Sequence, residues 1–225
     1  MILPMNNSYI IPADVLSASA VDVSADFCKW REMMYSRVDF NMADSLIHAR
    51  PHCERVLLHA LSIGAQLIPD DARALTALAH AAVFHDTRRL DDYLDTGHGA
   101  RAALYYKQFC SVNPDIECMP EAVYAMRYHD LADGIGIEAI QRDFGAEADR
   151  AITIYRIFKD ADALDRWRLG HRGLDPRYLR TDVARSMTDF ARKLVEITMD
   201  PNILKAIEKE VDEAIDRQNS QKGNR

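Results

Sequence analysis

The chain has 225 residues, of which 48% are hydrophobic and 28% charged, with a formal net charge of −7. That length suffices for one sizeable core, and one domain is the simplest reading. The composition is that of a globular protein and lacks the basic excess of a duplex nucleic-acid binder, although a short nucleotide needs only a local cluster of Arg and His.

Residues 1–22 mix Pro, Ser, Asn and Asp with apolar residues and show no sustained period, so they read as an extended lead-in. They contain no basic region followed by a long apolar run. No later segment approaches membrane-spanning length, and the expectation is a cytoplasmic protein with no membrane partner. From Ser24 to Arg37 the spacing of Phe27, Trp30 and Met34 predicts a first helix capped by Ser24. Pro51 suits the first turn of a second helix running to about Leu67, with Val56, Leu57, Ala60, Leu61 and Gly64 on its apolar face. That face leaves His48, His52 and Arg55 unexplained.

Pro69-Asp70-Asp71 supplies a stop and a cap for a central helix whose apolar stripe Leu75, Leu78, Ala79, Ala82 ends in His85-Asp86. A carboxylate carried on a buried stripe is costly unless a cation or a full set of hydrogen bonds compensates it. The run from Thr87 to Gly99 is too charged for a core and reads as an active loop. Helices are expected over about Gly99–Phe109, Pro120–Tyr128 (which delivers His129-Asp130), Ile137–Phe144 after a break at Gly134-Ile135-Gly136, and Ala146–Leu164. The last of these ends in Lys159-Asp160-Ala161-Asp162-Ala163-Leu164-Asp165. Two amphipathic packing helices follow, Thr181–Thr198 and Asn202–Arg217, then a tail over 219–225 that reads as disordered. No alternating strand pattern of useful length occurs. The predicted fold is all-α, a single helical domain over 23–218 with about eight helices. Cys28, Cys53, Cys110 and Cys118 show no CxxC spacing, which argues for reduced thiols and against structural zinc.

Taken in order, His52, His85-Asp86, His98, His129 and Asp162 each fall near a helix terminus or an adjacent loop. Imidazole and carboxylate together are the usual ligands of a catalytic divalent ion. Over residues 47–166 the chain resembles the HD-domain superfamily of metal-dependent phosphohydrolases. The resemblance is carried by the run from His48 to Leu57, by Phe84-His85-Asp86 and by the run from Lys159 to Asp165. More narrowly, His85-Asp86-x-x-Arg89-x-x-Asp92-x-x-Asp95-x-x-His98-Gly99 is similar to a subgroup of small HD proteins. It is also similar to the phosphodiesterase modules of bacterial effectors that cleave phosphoribosyl-linked ubiquitin.

The resemblance implies that His52, His85, Asp86 and Asp162 bind one divalent ion, with Asp86 able to bridge to a second. His98 and His129 match the extra ligands of two-metal members. Such a shell suits Mn, Fe, Ni, Mg or Zn and lowers the pKa of a coordinated water. Arg55, Arg88 and Arg89 are candidates to neutralise phosphoryl oxygens, Arg89 preferred and Arg88 read as solvated. The expected substrate is a small phosphorylated or nucleotide-like molecule, and homo-oligomerisation is left open. The Glu-Asp pair of alarmone hydrolases is replaced by Thr87-Arg88, and no Gly-Tyr-Pro signature of cyclic-di-GMP hydrolases occurs, so neither substrate is favoured. In the phosphoribosyl-ubiquitin enzymes the chemistry runs through histidines and an acid without an obligatory metal. The matching positions here are His48, Asp92 and His129. A third reading is a catalytically silent nucleotide-binding protein that kept the pocket. The blandest reading makes the histidines mere core or surface residues, at the cost of six coincidences of type and place.

Overall fold

The helix at the centre of the molecule has no outward face. In a computed structural model that describes residues 9–17 and 21–222, every residue from His52 to Gly64 on this helix is buried. The helices in chain order are α1 (Ala13–Ser17), α2 (Ser24–Arg37), α3 (Arg50–Leu67), α4 (Ala72–Phe84), α5 (His98–Val112) and α6 (Pro120–Tyr128). They continue with α7 (Asp133–Phe144), α8 (Ala148–Leu164), α9 (Asp182–Ser186), α10 (Thr188–Thr198) and α11 (Pro201–Lys222). The fold is all-α, with no strand among the described residues. The expected eight helices become eleven in part because α1 and α9 are single turns of five residues, and because the helix expected over 181–198 breaks at Met187.

The central helix α3 packs against α2, α4, α8, α9 and α10, so its expected one-sided apolar face extends all round. Gly64 permits the close crossing with α4, since a Cβ there would lie 2.7 Å from Leu78 Cδ1 and 2.8 Å from Leu75 Cδ2. A helix buried on every side must pair each polar group it carries. Glu54 accepts from the backbone N–H groups of Ile10 and Ile11 and from the Tyr35 hydroxyl, and this fastens the lead-in to the core. His59 has no hydrogen-bond partner at either ring nitrogen and packs edge-on against Phe190.

Four boundaries differ from the sequence reading, each for a local reason. The lead-in contains the one-turn helix α1; residues 1–8 and 18–20 lie outside the described residues. The stretch Gly134-Ile135-Gly136 does not break the chain but forms the first turns of α7. There Gly136 is needed for contact, because a Cβ would lie 2.6 Å from the Tyr155 ring and hydroxyl of α8. The helix α4 stops at Phe84, one residue short of His85. The helix α11 runs on through Lys222, so residues 219–222 are helical where disorder was expected, and 223–225 lie outside the described residues. All four cysteines are free. Among the described residues no helix is long and apolar enough to cross a membrane.

Burial lowers the pKa of His59 to about 4 and that of His80 also to about 4. Both rings are therefore neutral in the folded state while the unfolded chain takes up protons from about pH 6.5 downward. Between these limits the unfolded state binds more protons, so stability falls as pH drops from about 6.5 to 4. The expected loss is on the order of 2 kcal/mol per histidine. Urea denaturation at a series of pH values checks this, and His59→Leu should flatten the dependence.

Candidate metal centre

Five helix ends meet at one place. His52 lies in the first turn of α3, His85-Asp86 directly follow α4, His98 opens α5, and His129 directly follows α6; Asp162 comes from the last turn of α8. Gly99, beside His98, lets α5 approach the end of α6, since a Cβ there would lie 2.3 Å from the Met126 carbonyl and 2.8 Å from His129 Nδ1.

Hydrogen bonds fix the tautomer of each histidine. His85 Nδ1–H donates to the Ala82 carbonyl (2.9 Å), His98 Nδ1–H to that of Asp95 (2.6 Å) and His129 Nδ1–H to that of Met126 (2.7 Å). Each acceptor stands three residues earlier in the chain. His52 Nδ1–H donates to the carboxylate of Asp165 at 2.7 Å. Because these acceptors carry no hydrogen, the ring proton sits on Nδ1 and the Nε2 lone pair of all four rings faces inward.

The inward nitrogens form two pairs around one carboxylate. His52 Nε2 and His85 Nε2 are 3.0 Å apart, and His98 Nε2 and His129 Nε2 are 2.8 Å apart. Asp86 Oδ2 lies 3.5 Å from His52 and 3.9 Å from His85, while its Oδ1 lies 3.1 Å from His98 and 3.8 Å from His129. Asp162 Oδ1 completes the first group at 3.3 Å from His52 and 3.8 Å from His85. Burial resists ionisation of Asp86 and Asp162, yet the facing histidines outweigh it and hold both carboxyls well below the usual range. Burial pushes His85 down to about 3. For His129 burial is overcome by hydrogen bonding to Asp86, and its pKa is raised. Opposed lone pairs at such distances repel unless a proton or a cation lies between them, so this donor set fits a divalent ion. The buried His/Asp groups could hold a metal ion.

A cavity of about 520 Å³ opens above the cluster. His48, Asp86, Arg89, Asp92, His98, His129 and Asp162 reach it. His48 Nδ1 lies 3.0 Å from Asp92 Oδ1, which also accepts from the Ser45 hydroxyl. Burial and the nearby Arg168 charge lower the pKa of His48 to about 3.

Of the arginines singled out by the sequence, Arg55 stands elsewhere than expected and Arg89 stands at the cavity. Arg55 is fully buried and does not line the cavity; its Nε and Nη2 are spent on Asp165. Arg89 reaches the cavity with its planar fork already committed to the protein. Its Nε donates to the Asp91 carbonyl (3.2 Å) and Nη2 to that of Tyr93 (2.6 Å), while Nη1 lies against the His98 ring, 3.2 Å from Nε2 and 3.3 Å from Nδ1. Arg88 stacks on the Tyr105 ring, away from the cavity.

Sequence reasoning missed Asp165, Arg168 and the α11 wall. Asp165 is wholly buried between Arg55 and His52, and these partners overcome the cost of burial to depress its pKa. Arg168 lines the cavity, donates through Nε to the Ile47 carbonyl (2.7 Å), and pairs through Nη1 with Asp165 Oδ2 at 3.6 Å. The signal was the spacing Asp162-x-x-Asp165-x-x-Arg168, one helical turn per step. Ile207, Glu210, Val211 and Ala214 of α11 close one side, although that helix reads as ordinary packing.

Replacing Asp165 by Asn should keep an acceptor for His52 Nδ1–H but leave the Arg55 charge uncompensated. The affinity for a divalent ion is expected to fall about 10- to 100-fold, as isothermal titration would show. Asp165→Ala should in addition cost on the order of 3–5 kcal/mol in denaturant unfolding, because a buried guanidinium loses its partner.

Comparison with protein-family models, with curated proteins and with solved structures finds no match.

Proposed function

We propose that the protein is a metal-dependent phosphohydrolase or phosphodiesterase of the HD-domain type, acting on a nucleotide-like phosphate ester. The observation that carries this reading is the Asp86 carboxylate set between two inward-facing imidazole pairs on the floor of the cavity. His52, His85, Asp86 and Asp162 would hold the ion. When bound, a divalent ion supplies Lewis acidity and a water-derived nucleophile at neutral pH. A cavity of about 520 Å³ is of small-molecule size.

The chain's own residues divide the remaining work. Asp165 holds His52 in the tautomer and orientation that present Nε2. Arg168, which lines the cavity and is held by Asp165 and the Ile47 carbonyl, places a cation on the wall where a phosphoryl group would develop charge. It takes the part that the sequence reading gave to Arg55 and Arg89. His48, its Nδ1–H donated to Asp92, is left with Nε2 as a proton acceptor.

A second reading rests on that same His48–Asp92 contact, which with His129 matches the metal-independent phosphoribosyl-ubiquitin chemistry. Dialysis against a chelator separates the two. Under the leading reading a phosphatase and phosphodiesterase substrate panel goes silent and recovers on adding Mn²⁺ or another divalent ion; turnover that survives complete metal removal favours the second.

Asp86→Ala is expected to lose both bound ion and turnover while circular dichroism stays helical. Retention of metal and full rate would remove Asp86 from the site. Arg168→Lys should leave ion content unchanged and lower kcat/KM about 10- to 100-fold, the value of a charge-assisted hydrogen bond of about 1.5–3 kcal/mol. Steady-state kinetics on the best panel substrate measures it.

A further inference from the structure

We propose that the guanidinium of Arg89 takes the place of a second metal ion, so that the centre is mononuclear. This rests on the metal-centre reading above and concerns the half of the cluster formed by His98, His129 and Asp86 Oδ1.

By donor type alone that half is complete. It already has a cation beside it, however. Arg89 Nη1 lies 3.2 Å from His98 Nε2, 3.3 Å from His98 Nδ1 and 3.7 Å from Asp86 Oδ1. The near-equal distances to the two ring nitrogens seat Nη1 over the face of the imidazole, where it sets a positive charge next to the Nε2 that a metal would need. The guanidinium is also fixed in place, with Nε on the Asp91 carbonyl and Nη2 on that of Tyr93, and the residue is buried. Any ion within bonding reach of His98 Nε2 would therefore sit beside a desolvated positive charge.

The first half differs in this respect. The guanidiniums of Arg55 and Arg168 lie behind His52, against Asp165 on the Nδ1 side, and leave the inward Nε2 atoms of His52 and His85 open. The charge count agrees. One divalent ion balances the two carboxylates Asp86 and Asp162, which Arg89 then over-balances by one. Two ions beside Arg89 would set five positive charges against those two carboxylates. The loop from Thr87 to Gly97 thus has a definite role: its carbonyls hold the cation that occupies the second position.

The test loads the full chain with Mn²⁺, counts ions per chain by elemental analysis after gel filtration, and records electron paramagnetic resonance spectra for exchange coupling. The wild type should hold one ion and give an uncoupled spectrum. Arg89→Met and Arg89→Gln, the latter able to keep a donor on the Tyr93 carbonyl, should approach two ions with a coupled spectrum. Their second site should be at least about 100-fold tighter than in the wild type, because the neighbouring charge is gone. Arg89→Lys should stay at one, and His98→Ala in the Arg89→Met background should return to one. Two ions in the wild type, or one ion in both neutral variants when circular dichroism shows them folded, overturns the proposal and leaves the metal-centre reading standing. No ion in the wild type overturns both.

Discussion

The buried carboxylate of Asp165 is the tie on which the arrangement of the site depends. It joins the end of α8 to the first turns of α3 through His52 and Arg55, and Arg55 reaches onward to Thr198 of α10. Burying such a group is expensive, and a network of this kind contributes little net stability over an apolar one. Its contribution is position. With both oxygens occupied, it sets the ring of His52 and the guanidinium of Arg55 in one geometry, which apolar packing of the same volume would leave free.

Helix ends supply the rest because their last carbonyls need donors. The final turn of a helix leaves carbonyls without an internal partner. Here the Ala82 and Met126 carbonyls take the Nδ1–H of the histidine three residues on, and the Asp95 carbonyl does the same just before α5. One contact thereby satisfies a backbone group, chooses a tautomer and turns Nε2 toward the cluster. The C-terminal ends of α4 and α6 also carry partial negative charge, which favours a cation between them. The two His-Asp pairs are not equivalent, however. Asp86 points into the cluster, whereas Asp130 accepts from the Gly97 N–H at the start of α5.

The positive charges around the site are sorted by what holds them. Arg55 is neutralised behind His52, Arg89 is gripped by loop carbonyls, and Arg168 lines the cavity wall with Nη1 beside Asp165. Ile207, Glu210, Val211 and Ala214 of α11 line the same cavity.

By itself the sequence determined the all-α class and most helix positions, because 3.6-residue periodicity and Pro, Asp and Gly boundary signals are local. It also put His52, His85, Asp86, His98, His129 and Asp162 at helix ends, since spacing along one chain shows where an element stops. The run of helix through Gly134 and Gly136 was not legible, as it depends on how closely Tyr155 of another helix approaches. Nor were the separate fates of Arg55, Arg89 and Arg168. Arg55 and Arg89 read alike as cations near the motif and Arg168 was not singled out, and only the tertiary structure decided that Arg55 is buried on Asp165, that Arg89 meets loop carbonyls and that Arg168 lines the cavity. Partner choice for a long charged side chain is set by groups up to 143 residues away in the chain, which no local pattern encodes.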